Sequence, residues 1–298
     1  MSLPASLAAA LEELLGPVRG AVRVHGGSIC QVLRVEAPAG AVFVKYADAA
    51  PQGLFAVEAA GLQALRGRTG EVVVPEVLAV HDPTDLRTPA LRWLVLEWLE
   101  PGQAQPTADE SLGRGIAILH SAAAPGWGWD RPGFIGSLPQ DNSPCDDWPT
   151  FWWHRRLDPQ LTLAERLRRL PGTRALWHRL ADLLPELLRP AADEGPSPLH
   201  GDLWAGNVLR LAGGRVALVD PSFHHGHREV DLAMCELFGG FSPAFHAAYR
   251  EARPLQPGYD EVRREVYQLY FLLVHVNLFG GAYRERTARS LERILSTR

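Results

Sequence analysis

Apolar positions along the chain follow two rhythms that change near residue 100. From Ala21 to Tyr46, "AVRVHGGSICQVLRVEAPAGAVFVKY" gives three β-rich runs separated by glycine-bearing turns, which predicts an antiparallel meander. In "LFAVEAAGLQALRG" apolar residues recur three and four apart, the spacing of a helix. Two further β-rich runs follow, "EVVVPEVLAVH" and "LRWLVLEWL". Pro and Gly in "EPGQAQPTADE" then break the pattern ahead of "SLGRGIAILHSA", a helical period expected to begin at an Asp or Ser cap. Beyond it helical spacing predominates, in "PTFWWHRRLDPQLTLAERLRRL", "TRALWHRLADLLPELL" and "EVRREVYQLYFLLVHVNLFG". One β-hairpin stands among them, "NVLRLAGGRVALVD", with Ala-Gly-Gly at its turn. The expected fold is α+β and bilobal, with a small antiparallel β-rich lobe over residues 1–100 and a larger, mostly helical lobe over residues 101–298.

Composition narrows the function more than the fold. A chain of 298 residues, 46% hydrophobic and 21% charged, is globular in character and long enough for one large core or two modest ones. A formal charge of −4 without a Lys/Arg block offers no basic footprint for nucleic acid or an anionic membrane, so a small or neutral partner is expected. The amino terminus, "MSLPASLAAALEELLG", lacks a basic region ahead of an apolar stretch, and no apolar run reaches membrane-spanning length, which points to a cytoplasmic protein. Cys30, Cys145 and Cys235 are odd in number and widely spaced, so they are read as packed thiols rather than a disulfide or zinc framework. Oligomeric state is not legible.

The candidate chemistry centres on "LHGDLWAGNVL", residues 199–209. Asp202 and Asn207 lie five apart just before the hairpin, and Asp220 closes that hairpin thirteen residues later. The hairpin therefore sets Asn207 and Asp220 on neighbouring strands, two oxygen ligands suited to magnesium bridging nucleotide phosphates. Asp202, at the start of the loop, is placed to accept the proton of an attacking hydroxyl. His-x-Asp-Leu-x-x-x-Asn is also the spacing of a protein-kinase catalytic loop, with Leu203 matching its leucine. Upstream, "VFVK" ends a strand with Lys45, and Glu58 follows thirteen residues later on the predicted helix, the order of a phosphate-binding lysine held by a helix carboxylate. Backbone amides at Gly26 and Gly27 in "HGGSIC" are candidates to cover phosphate, although the full G-x-G-x-x-G is absent. Main-chain groups at Glu97, Trp98 and Leu99 occupy the position where adenine would pair.

At these motifs the chain resembles the fructosamine kinases, or ketosamine-3-kinases, of the aminoglycoside-phosphotransferase-like branch of the protein-kinase-like bilobal fold. The resemblance spans nearly the whole chain and rests on "HGDLWAGN", on "FIGSLPQDN" followed by "DDWPTFWWHRRL", on "DPSFHHGHREVDLAM" and on "YQLYFLLVHVNLFGGAY". It implies Asp202 as catalytic base, Asn207 and Asp220 as metal ligands, Lys45 and Glu58 as the nucleotide pair, and ATP with Mg2+ as cofactors. The implied reaction is phosphorylation of the 3-hydroxyl of a ketoamine, a glycation adduct of the fructosamine or ribulosamine type, giving a product that decomposes and frees the amine. The acceptor is a small-molecule or protein-bound ketoamine, with Trp204, His200 and Asp202 as its contacts. Trp204, two residues past the base, is expected to cover a sugar's C–H face, packing as core being the alternative.

Other features keep alternatives open. Ser222-Phe223-His224-His225 stands where relatives commonly carry tyrosine near the second position, and "GGSIC" replaces an acidic residue and asparagine, so Cys30 carries no firm redox reading. His224, His225 and His227 invite a metal site, but adjacent histidines on an extended segment face opposite ways. Trp148, Trp152 and Trp153 fit either sugar stacking or core, and Asp146 and Asp147 fit either exposed loop charges or attraction for a cationic amine. The same catalytic residues would serve a kinase of another small alcohol, such as an aminoglycoside, choline or homoserine, and a nucleotide-binding module without turnover is the remaining class.

Overall fold

A computed structural model describes residues 3–24, 30–48, 50–83, 91–103 and 105–296. The chain opens with helix α1 (Ala5–Leu15), whose Leu7 and Leu11 are fully buried against the first sheet. No helix is expected over these residues from the apolar spacing described above. Strands β1 (Gly20–Arg23), β2 (Gln31–Ala37) and β3 (Gly40–Ala47) then form the expected meander, followed by helix α2 (Leu54–Leu65), β4 (Val77–His81) and β5 (Arg92–Glu97). The five strands make one antiparallel sheet in the order β1-β2-β3-β5-β4. Gly26 and Gly27 lie outside the described residues.

Two expectations shift here. "EVVV" was read as part of a strand, but Pro75 cannot donate to a ladder, and β4 starts only at Val77. Val73 instead bridges to Ala217, far along the chain. Helix α3 runs Pro106–Ser121, starting five residues before the expected Ser111, because proline at a first helical position gives up an N–H that has no partner there anyway.

Helices and short strand pairs make up the rest: β6 (Gly133–Ile135), β7 (Leu138–Gln140), α4 (Trp148–Phe151), α5 (Asp158–Arg166), α6 (Arg174–Leu187), α7 (Arg189–Glu194), β8 (Ser197–Leu199), β9 (Val208–Arg210), β10 (Val216–Leu218), β11 (His224–Gly226), α8 (Glu229–Leu237), α9 (Pro243–Ala252), α10 (Arg264–Phe279) and α11 (Ala282–Ser296). The predicted hairpin is β9–β10. Two further pairs, β6–β7 and β8–β11, were not expected: Pro139 interrupts the first, and residues 200–223 separate the strands of the second.

The large core gathers around α10 and settles the tryptophan question. Trp148 and Trp152 are fully buried, the former donating Nε1–H to Tyr267 Oη at 3.1 Å, and Trp153 packs partly buried on the same cluster. They are core. Asp146 and Asp147 are exposed, and Asp147 caps α4 by accepting the Thr150 N–H at 2.9 Å. His224 and His225 do point apart, one stacked on Phe151 and the other edge-on to Phe223. Among the described residues no group of three or more His, Cys, Asp or Glu is arranged to hold a metal, and no helix is long and apolar enough to cross a membrane.

Candidate active site

Lys45 sits on β3, an interior strand of the sheet, between Val32 and Leu94. Its buried Nζ donates to Glu58 Oε1 at 2.7 Å and also contacts Asp220 Oδ1 from the other half of the molecule. Burial alone would lower the lysine's pKa, but the Asp220 and Glu58 carboxylates override it and hold the ammonium charged. Glu58 is aimed by the start of α2, where Asp82 accepts the N–H groups of Gly53, Phe55 and Ala56 at 2.9–3.1 Å and fixes the first turn. Burial, and then the Asp220 charge working against that of Lys45, push the Glu58 carboxyl up to about 7.

The loop after β8 brings the second group together. Asn207 Nδ2 donates to the Asp202 backbone oxygen at 2.8 Å and to its carboxylate at 3.3 Å, and Val219 N–H donates to Asn207 O at 3.0 Å. Asp220 follows with φ 55°, a left-handed conformation that aspartate tolerates better than most residues. Burial pushes the Asp202 carboxyl up to about 7; the Asn207 bond opposes this, while the Asp220 and Asp231 charges add to it. A base poised near neutrality is what hydroxyl activation requires.

His200 does not face the cleft. Its buried ring is held by burial in the neutral form, with Nε2 2.9 Å from Val219 O and Nδ1 3.3 Å from the Asp202 N–H. The imidazole thus ties the Asp202 loop to the hairpin end that carries Asp220, a positioning task in place of the expected acceptor contact.

Asp231 on α8 is the residue that sequence reading missed. Fully buried, it accepts the N–H groups of His200 at 2.7 Å and Gly201 at 2.8 Å, and His120 Nε2 lies 3.1 Å away. Gly201 can meet it because its φ is +82° and a Cβ there would lie 2.1 Å from Ser222 O. The available signal was a carboxylate inside a helix and flanked on both sides by apolar residues, "VDLAM".

Two adjoining cavities complete the cleft. One, about 220 Å³, is walled by Val32, Phe43, Leu96 and Leu209, with Glu97, Trp98 and Leu99 at one side and Lys45 and Asp220 at the other. Its apolar walls suit a flat base, and Leu99 lies beyond the last ladder pair, Val42–Glu97. The second, about 540 Å³, contains Lys45, Glu58, Asp202, Trp204, Asn207 and Asp220. Trp204 is 41% exposed, which makes it a cleft residue and not core, and its ring folds back over Gly206, where a Cβ would come within 2.3 Å of the indole. Cys30 lines both cavities, and burial raises its thiol above the ordinary range.

The oxygen set fits a hard cation. Asn207 spends its amide nitrogen on Asp202, so its Oδ1 is left as an acceptor, and the Asp220 carboxylate is 43% exposed toward the cleft. Two such oxygens suit Mg2+, which keeps waters and phosphate oxygens for its other positions.

Comparison with known proteins agrees with this geometry. The sequence profile described as fructosamine kinase matches residues 6–297. The chain is 39% identical over 274 residues to the probable ketoamine kinase of Thermus thermophilus, covering 88% of this chain and 89% of that protein. It superposes on a crystal structure of a fructosamine-3-kinase candidate from Thermobifida fusca with a TM-score of 0.86, at 37% identity over 98% of this chain and 99% of the other. A solved aminoglycoside phosphotransferase shares the fold alone, with a TM-score of 0.61 at 15% identity over 97% of this chain and 98% of the other. The chain belongs to the fructosamine kinase family and is an ATP-dependent small-molecule kinase of the bilobal, protein-kinase-like α+β fold.

Proposed function

We propose that this protein transfers the γ-phosphoryl group of ATP to the 3-hydroxyl of a ketoamine, with residues 1–100 binding nucleotide and residues 101–298 supplying the base and the acceptor site. The observation that carries the reading is the convergence of Lys45, Glu58, Asp202, Asn207 and Asp220 on one cavity. Lys45, held charged by two carboxylates, orients the α and β phosphates. Asn207 Oδ1 and the Asp220 carboxylate would hold Mg2+, which supplies charge neutralisation to the phosphoryl group in transfer. Asp202 accepts the proton of the 3-hydroxyl as its oxygen bonds to the γ-phosphorus and the bond to the bridging oxygen breaks, releasing ADP. Trp204 covers the sugar face beside the base.

The test is phosphate transfer from labelled ATP to ribulosamine, fructosamine and erythrulosamine adducts of lysine, with Asp202→Asn alongside. Turnover of at least one adduct is expected, with kcat falling by about 10²–10⁴-fold in the variant while ATP affinity is retained. Transfer only to an aminoglycoside, choline or homoserine would assign the same machinery to another alcohol. An undiminished rate in Asp202→Asn would remove the base.

A further inference from the structure

Gly136, Asp202 and Trp204 belong at once to the phosphate-side cavity and to another of about 550 Å³ that contains none of Lys45, Asn207 or Asp220. Apart from Asp202, the described residues lining this second space carry no ionised group, since burial lowers the pKa of His275 and keeps it neutral. Four of the aromatic residues lining it, Phe238, His275, Phe279 and Tyr283, cluster around one ring. The His275 ring centre lies 4.7 Å from Phe238, 5.5 Å from Phe279 and 4.9 Å from Tyr283. His275 and Phe279 are one turn apart on α10, and Tyr283 enters from the first turn of α11. Most of α10 is buried, yet Phe279 at its end is 63% exposed, the most exposed ring of a cavity that also contains Asp202.

We propose that the wall of Phe238, His275, Phe279 and Tyr283 binds the amine-bearing half of the acceptor and makes the enzyme selective for ketoamines whose nitrogen carries an uncharged hydrocarbon chain. This rests on the ketoamine reading. In such a molecule C1, two carbons from the reacting C3, carries the nitrogen. With the 3-hydroxyl at Asp202 and phosphates filling the Lys45 side, the nitrogen substituent extends along the remaining arm, over the rings and out past Phe279. A chain leaving across an exposed ring has no fixed maximum length, whereas a closed pocket would impose one.

A homologous series isolates the effect: fructosamine adducts of methylamine, butylamine and hexylamine, equal in charge and in reacting group. A fully buried methylene multiplies affinity about fourfold, so over a partly open wall KM is expected to fall about tenfold or more from the methyl to the hexyl adduct. Phe279→Ala should reduce the hexyl-to-methyl ratio of kcat/KM by about tenfold, Phe279→Trp should restore it, and melting temperature should hold in both because the side chain is exposed. A parent enzyme that turns over all three adducts with equal KM overturns the wall while leaving the ketoamine reading intact, as does a ratio unmoved in Phe279→Ala. Failure to phosphorylate any of the three overturns both together.

Discussion

Replacing Asp231 with asparagine tests how the loop of Asp202, the proposed base, is held. In the parent, Oδ2 serves His200 N–H at 2.7 Å and His120 Nε2 at 3.1 Å, and Oδ1 accepts Gly201 N–H at 2.8 Å. Asparagine has one oxygen, so its NH2 must confront a donor on one side or the other. A bond to a charged acceptor contributes about 1.5–3 kcal/mol, and some of the loss is offset because a buried charge is also removed, leaving an expected cost of about 2–3 kcal/mol. In a chain of this size that corresponds to roughly 3–5 °C in melting temperature. The loop carries Asp202, and displacing a catalytic group by an ångström costs about a hundredfold, so kcat should drop by about that factor with ATP affinity less affected. Burial alone would raise the Asp231 carboxyl, but the N–H bonds from His120 and Gly201 outweigh it and hold the group below its ordinary 3.8. A depressed carboxyl stabilises the fold above its unfolded value, and that stabilisation is lost as pH falls through the folded value. The gap between parent and variant should therefore be constant from pH 5 to 8 and close in stronger acid. Thermal melts across that range with steady-state kinetics at neutral pH are the measurement. A variant within 2 °C and twofold in kcat of the parent would refute the anchoring role.

The proposed ligand oxygens lead to a second expectation: Asp220→Ala should abolish turnover, whereas Asn207→Ala should lose it in a way that raised magnesium partly restores, as read from rate against magnesium concentration. Trp204→Phe should raise the ketoamine KM or lower kcat while ATP Kd and melting temperature stay near the parent. Gly206→Ala should act in the same direction, because its methyl would sit within 2.3 Å of the indole and displace the ring.

What the sequence shows of this site is what lies on local rhythm. Lys45 ends an alternating run, Glu58 sits in the helix after it, and Asp202, Asn207 and Asp220 flank one short hairpin, so spacing alone sets them near one another. Groups that hold these residues from a distance are invisible by the same logic. Asp82 caps α2 across a separation of 29 residues from Gly53, and Asp231 meets His200 across 31, with no periodicity joining either pair. His200 was misassigned for a related reason: its place in the motif marks it as important, but only the structure shows both ring nitrogens turned to backbone. The pair β6–β7 escaped because Pro139 interrupts it and β8–β11 because residues 200–223 separate its strands, and α10 conceals the aromatic wall since His275 and Phe279 are spaced like the core residues around them.

The contact of Lys45 with Asp220 spans 175 residues of chain, which sets an order of events during synthesis. At about 5–20 residues per second, the ribosome delivers Asp220 some 10–35 seconds after Lys45. Throughout that interval the nascent sheet can offer the lysine only Glu58, and Val73 still lacks its bridge to Ala217. The cleft that Lys45 and Asp220 share is thus one of the last features the growing chain can complete, and a polypeptide released before the second hairpin strand would hold half of that cleft beside an unpaired strand edge, a target for chaperones and not a smaller enzyme.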